Sequence, residues 1–279
     1  MAAAIRDLSA PIGAEATGVD LSKPVDSETA DRLRRAFVDR ALLVIRGQKM
    51  DAPQFLAAAR IFGEPVRQNL AKFNLPDHPD VATISNQEKT NAGKINVRGV
   101  SWHTDHSFQP EPPKATTLLA VSLPSRGGDT DWAHMGAAYD ALPDDLRAEV
   151  DGLEAVHAFT DTRVPPSVAE RIATGDDDAS DGVAHPLIRT HPENGRKSIY
   201  LNPLRVRRFR GMAPERCADL IERLVRHATR PEFVYTHRWR PGDMVIWDNR
   251  CCMHKANTDY DFQELRLLYR IILAGDRPH

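Results

Sequence analysis

The sequence predicts a mainly β protein with flanking helices on a jelly-roll core, and three observations carry that prediction. Its β-like apolar runs are short, at residues 41–46, 117–121, 198–201, 233–235, 244–247 and 266–274. Turn signals separate them, among them Arg126-Gly127-Gly128-Asp129 and Pro241-Gly242-Asp243. No strand–helix–strand rhythm recurs, which argues against a doubly wound sheet, and many short strands with a few attached helices suit a jelly roll.

The helices follow from periodicity and capping. Residues 26–40 carry one helical pattern. Asp51-Ala52-Pro53-Gln54 opens a second: Asp51 caps, Pro53 suits the first turn, Gln54 closes a capping box, and Gly63 is the expected stop. A third pattern spans 137–150 and is interrupted by Pro143. A fourth follows Pro214 and puts Cys217, Leu220, Ile221, Leu224 and Val225 on one face. No repeat or boundary is visible, so residues 1–279 are expected to form a single domain. Two polar stretches, 85–100 and 174–182, read as loops.

Composition narrows the function classes. A chain of 279 residues, 41% hydrophobic, can bury one substantial core. The formal charge is −2, with no basic stripe for nucleic acid and no polybasic run for an anionic membrane. The N-terminus lacks the apolar core of a signal peptide, and no apolar run reaches the roughly 18 residues of a membrane span. Three cysteines are an odd number, so a reducing cytoplasm is expected and structural disulfides are not. Cys251 and Cys252 lie near His254 but have no matching C-x-x-C, so no zinc site is expected on them.

The chemistry begins at Ser101-Trp102-His103-Thr104-Asp105. On a strand, residues i and i+2 share a face, so His103 and Asp105 can meet one metal. His254 would complete a two-histidine, one-carboxylate triad, a set that suits Fe(II) because it leaves positions open for a cosubstrate and O2. The motif is weak by itself: His78-Pro79-Asp80 matches it and His191-Pro192-Glu193 is its glutamate form, both reading as turns. The second feature is the run at 266–274. Alternation puts Arg266, Leu268, Arg270, Ile272 and Ala274 on one face of a strand expected to be buried on both sides. A buried arginine needs an anion, either an internal carboxylate or a bound ligand. Four residues along a strand cover roughly 13 Å, so the two arginines can serve different anions.

With these residues assembled, the chain resembles the TauD/TfdA family of Fe(II)/2-oxoglutarate-dependent dioxygenases, which includes taurine and aryloxyalkanoate dioxygenases. The likeness runs through Ile12-Gly-Ala-Glu-Ala-Thr-Gly-Val-Asp-Leu21, Ala41-Leu-Leu-Val-Ile-Arg-Gly-Gln48, Trp102-His-Thr-Asp105 with Ser107-Phe108, and Gly127-Gly-Asp-Thr130. It closes with Trp247-Asp-Asn-Arg250, His254, Asp259-Tyr260, and Arg266 with Arg270. It implies a double-stranded β-helix core and Fe(II) held by His103, Asp105 and His254. It implies Thr130 and Arg266 on the distal carboxylate of 2-oxoglutarate, and Arg270 on a small carboxylate or sulfonate substrate. The implied reaction hydroxylates a substrate C–H with O2, releasing succinate and CO2; the retained Asp105 favours hydroxylation over halogenation. The spacing from His254 to Arg266 is one residue longer than in taurine dioxygenase, so Arg266 is assigned by the Arg-x-x-x-Arg pattern. The residues that surround taurine's amine are not evident. Relatives commonly form dimers or tetramers, so a homo-oligomer is expected.

Position adds further substrate-side candidates. Phe108 lies three residues past Asp105. Asn96 and Arg98 sit in the 85–100 stretch, a possible lid before the metal motif. Tyr200 and Asn202 are weaker candidates. His106 alternates away from Asp105 and reads as structural; Trp102 and Trp247 read as packing. Three rival readings remain: the same cofactors driving desaturation, cyclisation or oxidative C–O or C–S cleavage; a non-catalytic small-molecule binder on the same fold; and a zinc hydrolase, in which Arg266 and Thr130 have no role.

Overall fold

The computed structural model describes residues 3–8, 11–67, 71–88, 97–159 and 182–279. Its strands are, in chain order, β1 (Ala4–Asp7), β2 (Ala14–Thr17), β3 (Leu42–Ile45), β4 (Pro65–Val66), β5 (Asn74–Leu75), β6 (His78–Ser85), β7 (Ala115–Ser122), β8 (Thr130–His134), β9 (Glu154–His157), β10 (Val183–Pro186), β11 (Ile188–Thr190), β12 (Lys197–Ile199), β13 (Val206–Phe209), β14 (Val234–His237), β15 (Met244–Asp248), β16 (Cys252–Ala256) and β17 (Leu267–Leu273). The large sheet runs β1-β2-β3-β15-β7-β17-β6-β5, with β4 also paired to β17. A second sheet, β14-β8-β16, carries one of the predicted metal ligands, and β10-β9-β13 and β11-β12 extend the β structure. This mainly β architecture is the jelly-roll class that the strand pattern predicts.

The large sheet is covered on both faces, which explains its uninterrupted apolar runs. Leu43 and Ile45 of β3, Met244 and Ile246 of β15, and Ile271 and Leu273 of β17 face one way, packing with Leu33, Phe37 and Phe55. Their alternates Leu42, Val44, Val245, Trp247 and Leu268 face the other way, meeting Trp132 of β8. The site described below lies on that second side.

Helix α1 (Ser27–Arg40) is capped by Asp26, whose carboxylate accepts from Thr29 N at 2.7 Å, and it buries Leu33 and Phe37. Helix α2 (Ala52–Ala59) carries the predicted capping box between Asp51 and Gln54. It stops at Ala59, not at Gly63: tight turns from Ile61 N to Ala58 O and from Phe62 N to Ala59 O swing buried Phe62 into the core. Pro143 breaks the third pattern into α3 (Met135–Asp140) and α4 (Asp144–Val150). Helix α5 (Pro214–Ala228) buries Cys217, Leu220, Ile221 and Leu224 as its spacing predicts. No helix among the described residues is long and apolar enough to cross a membrane.

A second expectation is corrected. His78-Pro79-Asp80 does not form a turn but begins β6. Pro79 precedes the residues of β6 that pair with β17, Ala82–Ser85, so its missing N–H breaks no bond of that ladder. His191-Pro192-Glu193 does lie in a turn.

Candidate active site

His103 and His254 are joined backbone to backbone. His103 N donates to His254 O at 3.0 Å, His254 N donates to His103 O at 2.8 Å, and the two rings lie 4.2 Å apart. His254 sits on β16, but His103 and Asp105 are not on a regular strand as expected. His103 forms an isolated β-bridge and Asp105 begins the turn after it, so the turn rather than strand alternation brings the carboxylate round. That loop is fixed along its length. Thr104 Oγ1 donates to Asn249 O at 2.9 Å and Asn202 Nδ2 donates to Thr104 O at 2.6 Å. Ser107 pairs with buried His157 at 3.0 Å.

The three side chains point their donor atoms at one another. His103 Nε2 lies 3.8 Å from Asp105 Oδ1, and His254 Nε2 lies 3.9 Å from Asp105 Oδ2. These gaps are too long for hydrogen bonds, yet all three ligand atoms fall within 4.8 Å of one another. They are close to twice a typical metal–ligand bond of about 2.0–2.2 Å. His103 Nδ1 lies 2.8 Å from the carbonyl of Ser101. A carbonyl can only accept, so the proton sits on Nδ1 and Nε2 keeps its lone pair, the tautomer a metal needs. Burial holds both imidazoles below the usual histidine range, and therefore neutral. Burial alone would raise Asp105, but the Arg270 guanidinium beside it outweighs burial and keeps the carboxylate ionised. Two neutral imidazoles and an ionised carboxylate, with no direct bond among them, fit a divalent ion.

Beside this triad a cavity of about 90 Å³ is lined by Arg98, Leu118, Thr130, Trp247, Arg266 and Arg270, among others. Arg266, Leu268 and Arg270 face it together, as alternation along β17 predicts. Arg266 is only 4% exposed, and its Nε donates to Gly128 O at 3.1 Å. No carboxylate among the described residues forms an ion pair with it. The Gly127-Gly128 pair makes this approach possible. A Cβ on Gly127 would stand 2.3 Å from Asp259 O and one on Gly128 3.1 Å from Arg266 Nε, and both residues have positive φ. Two residues on, Trp239 Nε1 donates to Thr130 Oγ1 at 3.0 Å. An indole N–H can only donate, so the Thr130 hydroxyl proton is left for another acceptor.

The other predicted residues are distributed as follows. Arg270 lines the cavity and pairs with Asp105 Oδ1 at 3.1 Å. Arg98 also lines it, but is held by Glu88 at 2.6 Å and stacks over Phe73. Asn96 lies outside the described residues, as do most of the 174–182 stretch and the centre of the 85–100 stretch. Phe108 is not in the cavity wall; it stacks on His106 and meets Phe159. Tyr200 is buried beside His157 and His185, away from the cavity, and Asn202 supports the loop at Thr104. Trp247 does line the cavity, 4.6 Å from the His254 ring, while Trp102 packs against the helical core. His106 does not alternate away on a strand. It turns at φ 49 and brings Nε2 to 3.5 Å from Arg270 Nη2. Sequence reading also missed Thr116, which donates to Asp105 Oδ2 at 2.6 Å; a threonine inside a β-like run carries no signal of its own.

A second cluster, His191, Asp248 and Cys251, has ligand-like spacing. Its donors are already committed. Arg250 grips Asp248 with Nε at 2.8 Å and Nη2 at 2.6 Å. His191 Nδ1 accepts from the N–H groups of Glu193 and Asn194, so its Nε2 proton points at Asp248.

Comparison with known proteins agrees with this geometry. Residues 4–272 match the model of the family described as taurine catabolism dioxygenase TauD, TfdA. The chain is 34% identical to an alpha-ketoglutarate-dependent 2,4-dichlorophenoxyacetate dioxygenase of Cupriavidus pinatubonensis, over 92% of this chain and 93% of the relative. It is also 34% identical to an alpha-ketoglutarate-dependent sulfate ester dioxygenase of Pseudomonas putida, over 98% and 90%. Among solved structures, AAD-2 in complex with Mn(II) and N-oxalylglycine superposes with a TM-score of 0.80 at 32% identity, covering 100% of this chain and 99% of that one. The chain belongs to the TauD, TfdA family of dioxygenases.

Proposed function

We propose that this chain is an Fe(II)- and 2-oxoglutarate-dependent dioxygenase that hydroxylates a small anionic molecule, with His103, Asp105 and His254 as the metal ligands. The observation that carries the cosubstrate assignment is Arg266, a buried guanidinium without a carboxylate partner among the described residues, set beside the available hydroxyl of Thr130. An unpaired buried charge is costly. The distal carboxylate of 2-oxoglutarate would supply the missing partner, with Arg266 and Thr130 each donating to it. N-oxalylglycine, found with Mn(II) in the related AAD-2, is the amide analogue of 2-oxoglutarate and supports the same pairing of metal and cosubstrate.

The overall reaction is R–H + 2-oxoglutarate + O2 → R–OH + succinate + CO2. Bound Fe(II) with 2-oxoglutarate supplies the oxidising power when O2 arrives. The protein residues orient and exclude. The donor tautomer of His103 is set by Ser101, Asp105 is kept ionised by Arg270, and Trp247 with Leu118 and Leu268 walls the site with apolar surface. Arg270 would exchange part of its hold on Asp105 for the substrate anion. The dichlorophenoxyacetate and sulfate ester dioxygenases support a carboxylate or sulfate class. If the hydroxylated carbon bears an ether or ester oxygen, the product collapses with C–O cleavage.

The test is a coupled assay of succinate and product. Purified protein is incubated with Fe(II), 2-oxoglutarate and O2 against aryloxyacetates and alkyl sulfates. The expected result is Fe(II)-dependent succinate stimulated by at least one anion, with Arg270→Ala raising the KM for that anion far more than the KM for 2-oxoglutarate. No Fe(II)-dependent succinate under any condition would contradict the proposal.

A further inference from the structure

One nitrogen of the Arg270 guanidinium is claimed from two sides. Nη2 lies 3.1 Å from Asp105 Oδ1 and 3.5 Å from His106 Nε2. A guanidinium nitrogen can only donate. His106 Nε2 therefore accepts, which puts the ring proton on Nδ1 and leaves the imidazole neutral. The two acceptors differ in kind: one is an anion that also faces the metal site, and the other carries no charge.

The surroundings of His106 fix where its ring points. Its φ of 49° is a left-handed conformation that most side chains avoid. The Gln109 N–H closes the turn, donating to His106 O at 3.0 Å. From behind, buried His185 Nε2 lies 3.0 Å from Ser107 O and 3.1 Å from Gln109 O. Carbonyls only accept, so His185 donates to both and ties the turn together. His157 holds the Ser107 hydroxyl at 3.0 Å. Phe108 stacks on the His106 ring, with centroids 5.7 Å apart and planes 23° apart. These contacts hold the backbone or the ring plane, and none of them uses Nε2.

We propose that His106 is a positioning residue for the substrate anion: it aims the Arg270 guanidinium without neutralising it. This rests on the reading of Arg270 as the partner of that anion. His106 does not line the cavity beside the triad, so it acts on a ligand there through Arg270. A carboxylate in its place would add a second negative charge beside the guanidinium and compete with the ligand. An apolar side chain would leave this nitrogen to Asp105 alone. Asp105 and an incoming anion compete for the same guanidinium, and a neutral acceptor gives it one bond that neither competitor has to break. The contact to His106, longer than the one to Asp105, has room to shorten as the anion draws Arg270 off the carboxylate.

The test compares His106→Leu, which removes the acceptor at similar bulk, with His106→Gln, whose side-chain carbonyl can accept from Arg270. Phenoxyacetate and hexyl sulfate are titrated into the anaerobic Fe(II)·2-oxoglutarate protein, and perturbation of its visible charge-transfer band gives a Kd for each. His106→Leu is expected to raise both Kd values about tenfold, the equivalent of one hydrogen bond to a charged group. The KM for 2-oxoglutarate, read from succinate release, is expected to move less than about twofold, and His106→Gln to restore most of the probe affinity. Thermal melts establish that the variants are folded; if His106→Leu is not, His106→Gly, which suits the turn, replaces it with the same expectations. Unchanged Kd values in the folded variant overturn the inference. So does an equal loss for the probes and for 2-oxoglutarate, or a His106→Gln no better than His106→Leu, since either result makes the residue a packing element. A wild-type band that responds to neither probe also overturns it, because Arg270 then seats no such anion. Failure of the underlying functional reading is distinct: wild type then shows no band and makes no Fe(II)-dependent succinate, and both conclusions fall together.

Discussion

Thr116 donates a 2.6 Å hydrogen bond to Oδ2 of Asp105, and its own oxygen accepts one from Asn249 Nδ2 at 3.0 Å. Asn249 Oδ1 in turn accepts from Trp247 Nε1 at 2.9 Å. The indole can only donate, so every proton in the chain points toward the carboxylate, which is held ionised and in one orientation. Thr116→Val keeps the side-chain shape and removes the hydroxyl. Metal affinity is expected to fall 10- to 100-fold, a usual magnitude for loss of a ligand's outer partner, roughly, with about 1–3 kcal/mol of stability lost from the orphaned groups. Thr116→Ser restores both. Anaerobic metal titration and a urea melt read the two effects.

Arg266 yields a prediction of opposite sign for stability and for binding. A buried arginine that belonged to an internal salt bridge would destabilise the protein when removed. Arg266 has no such partner among the described residues, and burial pushes its guanidinium pKa down. Arg266→Met is therefore expected to leave the melting temperature of the ligand-free protein unchanged or higher. The KM for 2-oxoglutarate rises about 10- to 100-fold, the equivalent of one or two charge-assisted hydrogen bonds. Thermal melts without ligand and steady-state kinetics check the two halves.

Arg46 behaves the other way. It pairs with Glu15 at 2.7 Å and with Asp243 at 2.6 Å, joining β2 and β3 to the turn before β15. Both carboxylates are buried. Glu15 keeps Arg6 at 2.7 Å and Asp243 keeps His237 at 3.0 Å, so Arg46→Ala is expected to cost about 1–3 kcal/mol, measured by chemical denaturation.

Stability also depends on pH through histidines away from the site. Burial, reinforced by His185, holds His157 at about 3 in the folded protein; burial, with Arg196 and Arg40, holds His134 at about 4. Both titrate near 6.5 when unfolded. Above that pH both states carry neutral imidazoles and the contribution is flat. As pH falls through about 6.5 the unfolded chain takes up protons that the folded chain refuses, so stability declines until the folded imidazoles protonate near pH 3 to 4. His157→Asn keeps a polar partner for Ser107 and is expected to flatten the decline. Urea midpoints at pH 7.5, 6 and 5 for the two proteins test it.

Much of the site was legible in the sequence because its chemistry is local. The alternation of Arg266, Leu268 and Arg270 predicts one shared face, and the Gly127-Gly128 pair marks a turn. Trp102-His103-Thr104-Asp105 named two ligands, although through the wrong geometry. Strand alternation does not reach this segment: a β-bridge at His103 and a turn from Asp105 set the geometry, and the same turn brings His106 back toward Arg270. Thr116, Asn249 and Trp239 carry no such signal: Trp239 meets Thr130 across 109 positions and Asn249 meets Thr116 across 133, while Thr116, only 11 residues from Asp105, reaches it from a separate strand. In the fold, β6 was missed because Pro79 resembles a turn signal until its pairing partner is known.

The central claim is that His103, Asp105 and His254 hold Fe(II) and Arg266 positions 2-oxoglutarate on it. The most direct measurement is anaerobic addition of Fe(II) and 2-oxoglutarate, followed by visible absorption. The weak metal-to-ligand charge-transfer band of the chelate is expected in wild type, lost in His103→Ala and weakened in Arg266→Ala. Absence of the band in wild type at saturating Fe(II) and 2-oxoglutarate would contradict it.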